Sequence, residues 1–318
     1  PWIDDDELKE ITEVIKSTFL TENKKTKEFE DKIKELTGAK YAFAFCNGTA
    51  TLFTALKVLG IGKGDEVIVP NLTFVASVNS IIFAGASPVL VDINPETFQI
   101  DADKIEEKIT KKTKAIMPVH LYGQSCDMDK IMKIAKKNNL KVIEDAAQAI
   151  GVRFNGKHAG TFGDFGSFSL YGNKTMTTGE GGVIMTDNEE LSKEAYRMKN
   201  HGRLEKGVFI HEKIGFNFSF TEMQAAIGIA QLRKLDKIIK RKNEIRNFYM
   251  KNLPNVKFSY VDPKCSPVHW FTSIWVKDID DFVIKMKEKG IQTRRFFYPI
   301  NRQPCYKDFK FKGEYTAT

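Results

Sequence analysis

The chain has 318 residues, 42% hydrophobic and 28% charged, enough to bury a sizeable core and to form one large domain or two ordinary ones. Its 49 basic residues exceed its 41 acidic ones by 8, a balance that invites a nucleic-acid partner. These are, however, 40 lysines and 9 arginines spread over the whole chain, whereas a nucleic-acid face needs clustering and favours the planar arginine fork; a diffuse, solvated lysine surface and no nucleic-acid partner are expected.

Cys46, Cys126, Cys265 and Cys305 lie far apart without a CxxC pair, and no HExxH occurs among the five histidines. Neither a disulfide framework nor a metal site is expected, and a reducing cytoplasm fits. No basic-then-apolar leader is read at the start. The longest uncharged run, residues 67–91, contains Pro70, Asn71, Asn79 and Pro88; it reads as a buried strand, helix and strand, not a membrane span.

In chain order, residues 4–19 and 26–37 read as amphipathic helices, the first opening on acidic residues and the second stopping at Gly38. A strand over 41–46 meets Asn47-Gly48 and a helix follows to about 59. Apolar runs at 66–69, 88–91, 114–118 and 140–144 read as strands, with helices near 73–84, 103–109 and 127–138 between them. This alternation predicts βαβ units in an α/β fold with a mostly parallel central sheet flanked by helices, ligands lying near the strands' C-terminal ends. Past Gly151 the rhythm changes to short strands at 152–154, 167–170 and 182–185. Helices follow at 189–200 and 221–252, the latter long enough to act as a spine between domains; strand-like residues at 271–276 and a helix at 280–289 close the chain. A large domain over 1–235 and a smaller α+β domain over 236–318 are expected.

Three stretches can carry chemistry. At the corner Cys46-Asn47-Gly48-Thr49-Ala50, a glycine at a helix start can admit an anion to free backbone N–H groups, and Thr49 can add a hydroxyl; an ordinary capped turn has the same signature. No GxxxxGK[ST] or strand-following GxGxxG occurs. The run Lys141-Val-Ile-Glu-Asp145-Ala-Ala-Gln148 puts two carboxylates at the end of a buried strand, where Asp145 can hold a cationic ring nitrogen or cap a helix. Third, residues 165–182 lead an apolar strand into Lys174 and then into small, hydroxyl and glycine residues; a desolvated lysine there would be an amine nucleophile. With Phe74 as a flat ring-stacking partner, the set matches what pyridoxal phosphate requires.

The segments CNGTATL, VIVPNLTFVAS, PVHLYGQ, IEDAAQAIG, GSFSLYGNKTMTTGEGG and GFNFSFTEMQAAIG, following Pro1-Trp-Ile-Asp-Asp-Asp-Glu, resemble in kind and order those of the DegT/DnrJ/EryC1/StrS family of sugar aminotransferases. The resemblance runs from Pro1 to about Gln231 and implies the fold-type I architecture, with pyridoxal 5'-phosphate as cofactor. It implies that Lys174 bonds the cofactor, that Asp145 pairs with the ring nitrogen, and that Gln148 sits by the phenolic oxygen. It further implies that Phe74 stacks on the ring and that Gly48, Thr49 and Ser169 hold the phosphate. Asn217 would reach the phosphate of a neighbouring subunit, making the active unit a homodimer.

The GNKTxTTGEGG form is similar to that of members aminating C4 of nucleotide-linked 4-keto-6-deoxy sugars, GDP-linked ones nearest, with L-glutamate as donor. UDP- or dTDP-linked sugars and amination at C3 stay open, as does a non-catalytic regulator or binding protein on the same fold. Relatives with His at the Lys174 position act as dehydratases, which the lysine argues against. His120, Glu180 and Arg203 are candidate substrate contacts, His120 being equally readable as a structural histidine. The basic, aromatic stretch from Arg294 to Tyr298 reads either as a nucleotide contact or as a surface face. Past Gly313-Glu314-Tyr315 the resemblance implies a final strand and helix, so the small domain is expected to be unfinished within these 318 residues.

Overall fold

The computed structural model describes residues 1–318 except 206, 310, 312–314 and 318; Gly313 and Glu314 of the expected Gly-Glu-Tyr segment therefore lie outside the described residues. Helix α1 (Asp5–Ser17) opens on a capping box in which Asp4 and Glu7 satisfy each other's backbone amides. Helix α2 (Lys24–Thr37) has no cap from its own Asn23. Buried Glu222, 4% exposed, instead accepts the N–H groups of Asn23, Lys25 and Thr26, each at 2.8 Å, and the Thr26 hydroxyl at 2.7 Å. A carboxylate at a helix N-terminus satisfies amides the helix cannot and opposes its dipole.

The strands are β1 (Tyr41–Phe45), β2 (Glu66–Pro70), β3 (Ser87–Val91), β4 (Thr113–Ile116), β5 (Lys141–Asp145), β6 (Arg153–Phe154), β7 (Lys157–His158), β8 (Phe165–Ser169), β9 (Gly182–Thr186) and β10 (Cys265–Ser266). Seven of them form the central sheet in the order β1-β9-β8-β5-β4-β2-β3. β2, β3, β4, β5 and β8 run parallel to one another, and β9 is antiparallel to both β1 and β8. The expected mostly parallel sheet is present.

Both faces are covered, as a parallel sheet requires. On one face Ile68, Ile116, Val142 and Phe168 pack with Phe29 and Ile33 of α2. On the other, Val67, Val69, Ile143 and Phe165 pack with Leu52 and Leu56 of α3 (Gly48–Val58) and with Val78 and Ile81 of α4 (Val75–Phe83). The alternation of Val67, Ile68 and Val69 between the two cores is the period-2 signature of a strand buried on both sides.

Helix α5 (Met128–Lys137) precedes β5, α6 (Glu189–Lys199) follows β9, and α7 (Glu222–Asn252) crosses residue 235, with α1 and α2 packed on it. Helix α8 (Ile279–Glu288) lies in the last part of the chain. Two expectations fail. Residues 103–109 form two short 3-10 turns, Ala102–Lys104 and Glu106–Lys108, not an α-helix; Ala102 and Ile105 are the buried anchors there, too few for an amphipathic face. Residues 271–276 make no strand beyond an isolated pairing of Ile274 with Phe258, because their side chains wall a cavity. Among the described residues no helix is long and apolar enough to cross a membrane.

Candidate active site

A cavity of about 1650 Å³ opens at the C-terminal ends of the parallel strands and extends to α7 and to residues 269–297. Four strand ends bring the chemistry to it. After β1, Asn47 caps α3 by accepting the Ala50 N–H at 2.8 Å. The amides of Gly48 and Thr49, both lining the cavity, are left without intrahelical acceptors. Glycine suits this corner: a Cβ on Gly48 would lie 3.1 Å from the Ser169 Cβ and 3.3 Å from the Phe168 carbonyl, close enough to press on both. Ser169, at the end of β8, faces the same corner. Helix start, glycine and two hydroxyls make an anion cradle.

β5 ends on two carboxylates of opposite fate. Glu144, fully buried, accepts N–H groups from Gly160, Phe162 and Gly163 at 2.6–2.8 Å and faces His120 Nε2 at 2.9 Å. It therefore pins the loop before β8. Asp145, 4% exposed, lines the cavity. Its Oδ2 accepts the Ser77 hydroxyl at 2.6 Å and its Oδ1 the Ala147 N–H at 3.1 Å. Gln148 spends its Oε1 on the Tyr122 N–H at 2.7 Å, so what it can offer the cavity is its Nε2 donors. Phe74, at the N-terminus of α4, presents a half-exposed ring to the cavity.

Lys174 sits in the loop joining β8 to β9. That loop is held by Thr178 N–H to the Leu170 carbonyl (2.9 Å), by the Thr177 hydroxyl to the same carbonyl (3.0 Å), and by the Thr177 N–H to Gln231 of α7 (3.3 Å). Burial pushes the Lys174 amine down to about 8, against the opposing pull of Asp145. Two buried polar atoms on the same wall, Asn173 Oδ1 and Thr175 Oγ1, have no protein partner. Together with the anion cradle at Gly48 and Thr49, they fit a group that carries both an anion and further hydrogen-bonding atoms into the cavity.

Of the expected substrate contacts, Glu180 lines the cavity. His120 does not: it is fully buried, its Nδ1 accepts the Cys126 N–H at 3.1 Å and its Nε2 faces Glu144, so it is a structural histidine. Arg203 is not brought to this chain's cavity either; its guanidinium donates to the Val208 carbonyl at 3.2 Å and lies over the Phe209 ring. Asn217 is exposed and outside the cavity. Arg294, Arg295, Phe296 and Phe297 do line it, with Arg295 also paired to Asp280. Sequence reasoning missed Ser77, which sits three residues past Phe74 and braces Asp145 from another strand's helix. It also missed Trp270, whose only sequence signal is an aromatic just ahead of a strand-like run. No group of three or more metal-ligating side chains occurs among the described residues.

The sequence profile of the DegT/DnrJ/EryC1/StrS aminotransferase family matches residues 1–318. The chain is similar to a GDP-perosamine synthase of Escherichia coli O157:H7, 42% identical over 313 residues that cover 97% of this chain and 86% of that protein. Its fold superposes on DesV of S. venezuelae, solved in complex with a ketimine intermediate, with a TM-score of 0.94 and 30% identity over 98% of this chain and 85% of that one. It also superposes on the PLP-form of the putative sugar aminotransferase Spr1654 of Streptococcus pneumoniae, with a TM-score of 0.94 and 28% identity over 98% and 87%.

Proposed function

The chain belongs to the DegT/DnrJ/EryC1/StrS aminotransferase family, and from that membership we propose that it transfers an amino group from L-glutamate to C4 of a GDP-linked 4-keto-6-deoxy sugar, as a GDP-perosamine synthase would. It is a pyridoxal phosphate-dependent nucleotide-sugar aminotransferase. The observation that carries the residue assignment is the Lys174 amine, held by burial near neutrality in the cavity that Asp145 also lines. Similarity to the Escherichia coli protein carries the choice of sugar.

In this reading the Gly48 and Thr49 amides with the Thr49 and Ser169 hydroxyls hold the cofactor's phosphate, and Phe74 covers its ring. Asp145 holds a proton on the ring nitrogen, and Gln148 donates to the phenolic oxygen. When bound, pyridoxal phosphate supplies an electron sink for the carbon from which a proton is removed. Lys174 gives the group its attachment; once displaced by the amino donor, it takes a proton from one carbon and returns it to another. An amine of proton affinity near 8 suits both directions at neutral pH. The Ser77 hydroxyl and the Ala147 N–H hold the Asp145 carboxyl in place, one on each oxygen.

We read the active unit as a homodimer. In support, Asn217 is exposed outside this chain's own cavity, in a loop that also exposes Phe209, Ile210 and Ile214, and exposed apolar clusters of this kind mark interfaces. Purified protein given L-glutamate and, in turn, GDP-, UDP- and dTDP-linked 4-keto-6-deoxy sugars should yield a 4-amino sugar with the GDP compound. Preference for another nucleotide would overturn the GDP assignment, and no amine from any of them would overturn the sugar reading.

A further inference from the structure

Lys174 has a neighbour that the reading above leaves unused. Its Nζ lies 4.3 Å from the centroid of the Trp270 ring, within the range at which an ammonium is held by the negative face of an indole. Trp270, 97 positions after Asn173, is 6% exposed, and its segment is fixed at three points. The indole N–H donates to the Asn173 carbonyl at 2.7 Å. The Trp270 carbonyl accepts Lys242 Nζ of α7 at 3.1 Å. Two residues earlier, the Val268 N–H donates to the Gly123 carbonyl at 2.9 Å. That last approach needs glycine, since a Cβ on Gly123 would lie 1.7 Å from the Val268 carbonyl oxygen, and Gly123 has φ +80°. The backbone that carries the ring is thereby held to α7 and to the turn after β4, and the ring cannot turn off the amine without breaking its bond to the lysine's own loop.

We infer that Trp270 is the seat of the Lys174 amine, the face on which the ammonium rests whenever it is not bonded to the cofactor. Trp270 is thus a positioning residue for the transamination, and this rests on the reading of Lys174 as the cofactor lysine. A released lysine has a long flexible stem with many rotamers; a fixed aromatic face keeps its amine in reach of the atoms it must serve. The other charged and titratable side chains lining the same cavity are Asp145 from β5, Tyr122 after β4, Tyr171 and Glu180 from the lysine's loop, Arg241, Lys242 and Tyr249 from α7, and His269, Arg294 and Arg295. Asp145 draws the proton on and burial pushes it off, with burial the stronger; the indole face adds to the side of Asp145.

The test is the pH dependence of reductive methylation at limiting reagent, read by mass spectrometry on the peptide carrying Lys174. It uses the full chain with cofactor and again after the cofactor has been stripped. Trp270→Leu keeps an apolar wall but removes the aromatic face; Trp270→Phe keeps a face and loses only the bond to Asn173. In the stripped protein the Leu variant should lower the amine's midpoint by about 0.4–1.5 pH units, the cation–π range expressed as proton affinity, and the Phe variant should restore at least half of that. A Leu midpoint equal to or above wild type overturns the inference. Should the Leu variant not fold, tryptophan fluorinated on its ring, which weakens the negative face at nearly constant shape, must lower the midpoint; an unchanged midpoint there overturns it equally. Borohydride reduction of the loaded enzyme keeps the two readings separate: absence of cofactor mass on the Lys174 peptide would sink the assignment of Lys174 whatever the midpoint shows.

Discussion

Replacing Lys174 by methionine should make the cofactor-free protein more stable while abolishing transamination. Methionine fills similar space without a charge, so the substitution isolates the cost of burying the ammonium. The amine's proton affinity falls from 10.5 in the open chain to about 8 in the fold. Below pH 8 both states carry the proton, and the folded state bears the whole penalty. Between 8 and 10.5 the unfolded chain binds more protons than the folded one, so stability rises with pH; above 10.5 the penalty is gone. At 1.36 kcal/mol per unit, the 10.5-to-8 shift is worth about 3 kcal/mol at pH 7 and under about 1 kcal/mol at pH 10. Urea denaturation of stripped wild type and Lys174→Met at both pH values measures this directly. A methionine variant no more stable than wild type at pH 7, or a gap that does not close toward pH 10, would refute the claim that burial governs this amine.

Asp145→Asn should slow the glutamate half-reaction, followed by the cofactor's absorbance, by on the order of 10²–10⁴, because an amide cannot hold a proton on the ring nitrogen by charge; near-wild-type rates would remove Asp145 from that role. Gly123→Ala should cost about 1–3 kcal/mol from the left-handed backbone alone, with a shift in tryptophan fluorescence as the Val268–Trp270 segment is displaced; an unchanged melting curve would contradict the 1.7 Å approach. Mixing Lys174→Ala protein with an inactive Asn217 variant should restore activity if sites are shared across a dimer, since one of the two sites then has both residues intact. No recovery on subunit exchange would count against sharing.

How much of this was legible in the sequence depended on how local its cause was. α1 and α7 carry their caps and periodicity within a few residues, and the strands β2 and β5 announce themselves as apolar runs, so their bounds are legible nearly to the end; α2 shows its period and its stop at Gly38, but its N-terminal cap comes from distant Glu222. Residues 271–276 show the same β-rich composition, but what they meet is a cavity and not another strand, and no local pattern separates the two. His120 is the clearest case at the site. Its position at a strand end is equally suited to touching a ligand or bracing a loop, and only the arrival of Glu144 from the next strand decides it. Ser169 is named only through the family resemblance, whereas Lys174, Asp145 and Gly48 can be nominated because each lies in a segment whose local chemistry is unusual. Ser77 and Trp270 could not, because their importance is conferred entirely by partners 68 and 97 positions away.

The antiparallel placement of β9 has a consequence for how the molecule assembles. β8 and β9 are joined only by the twelve-odd residues around Lys174, so their pairing is a hairpin with a small entropy of closure; β1, which carries the anion cradle, must find β9 from Tyr41 to Thr186. Closure entropy grows with the loop, and non-local pairing is slow. The lysine's loop should therefore take shape first and the cradle dock onto it afterwards, making binding of the cofactor a late event in folding. Pulse-labelled amide exchange during refolding should show protection across β8 and β9 ahead of β1; the reverse order would show that the cradle organises the lysine instead.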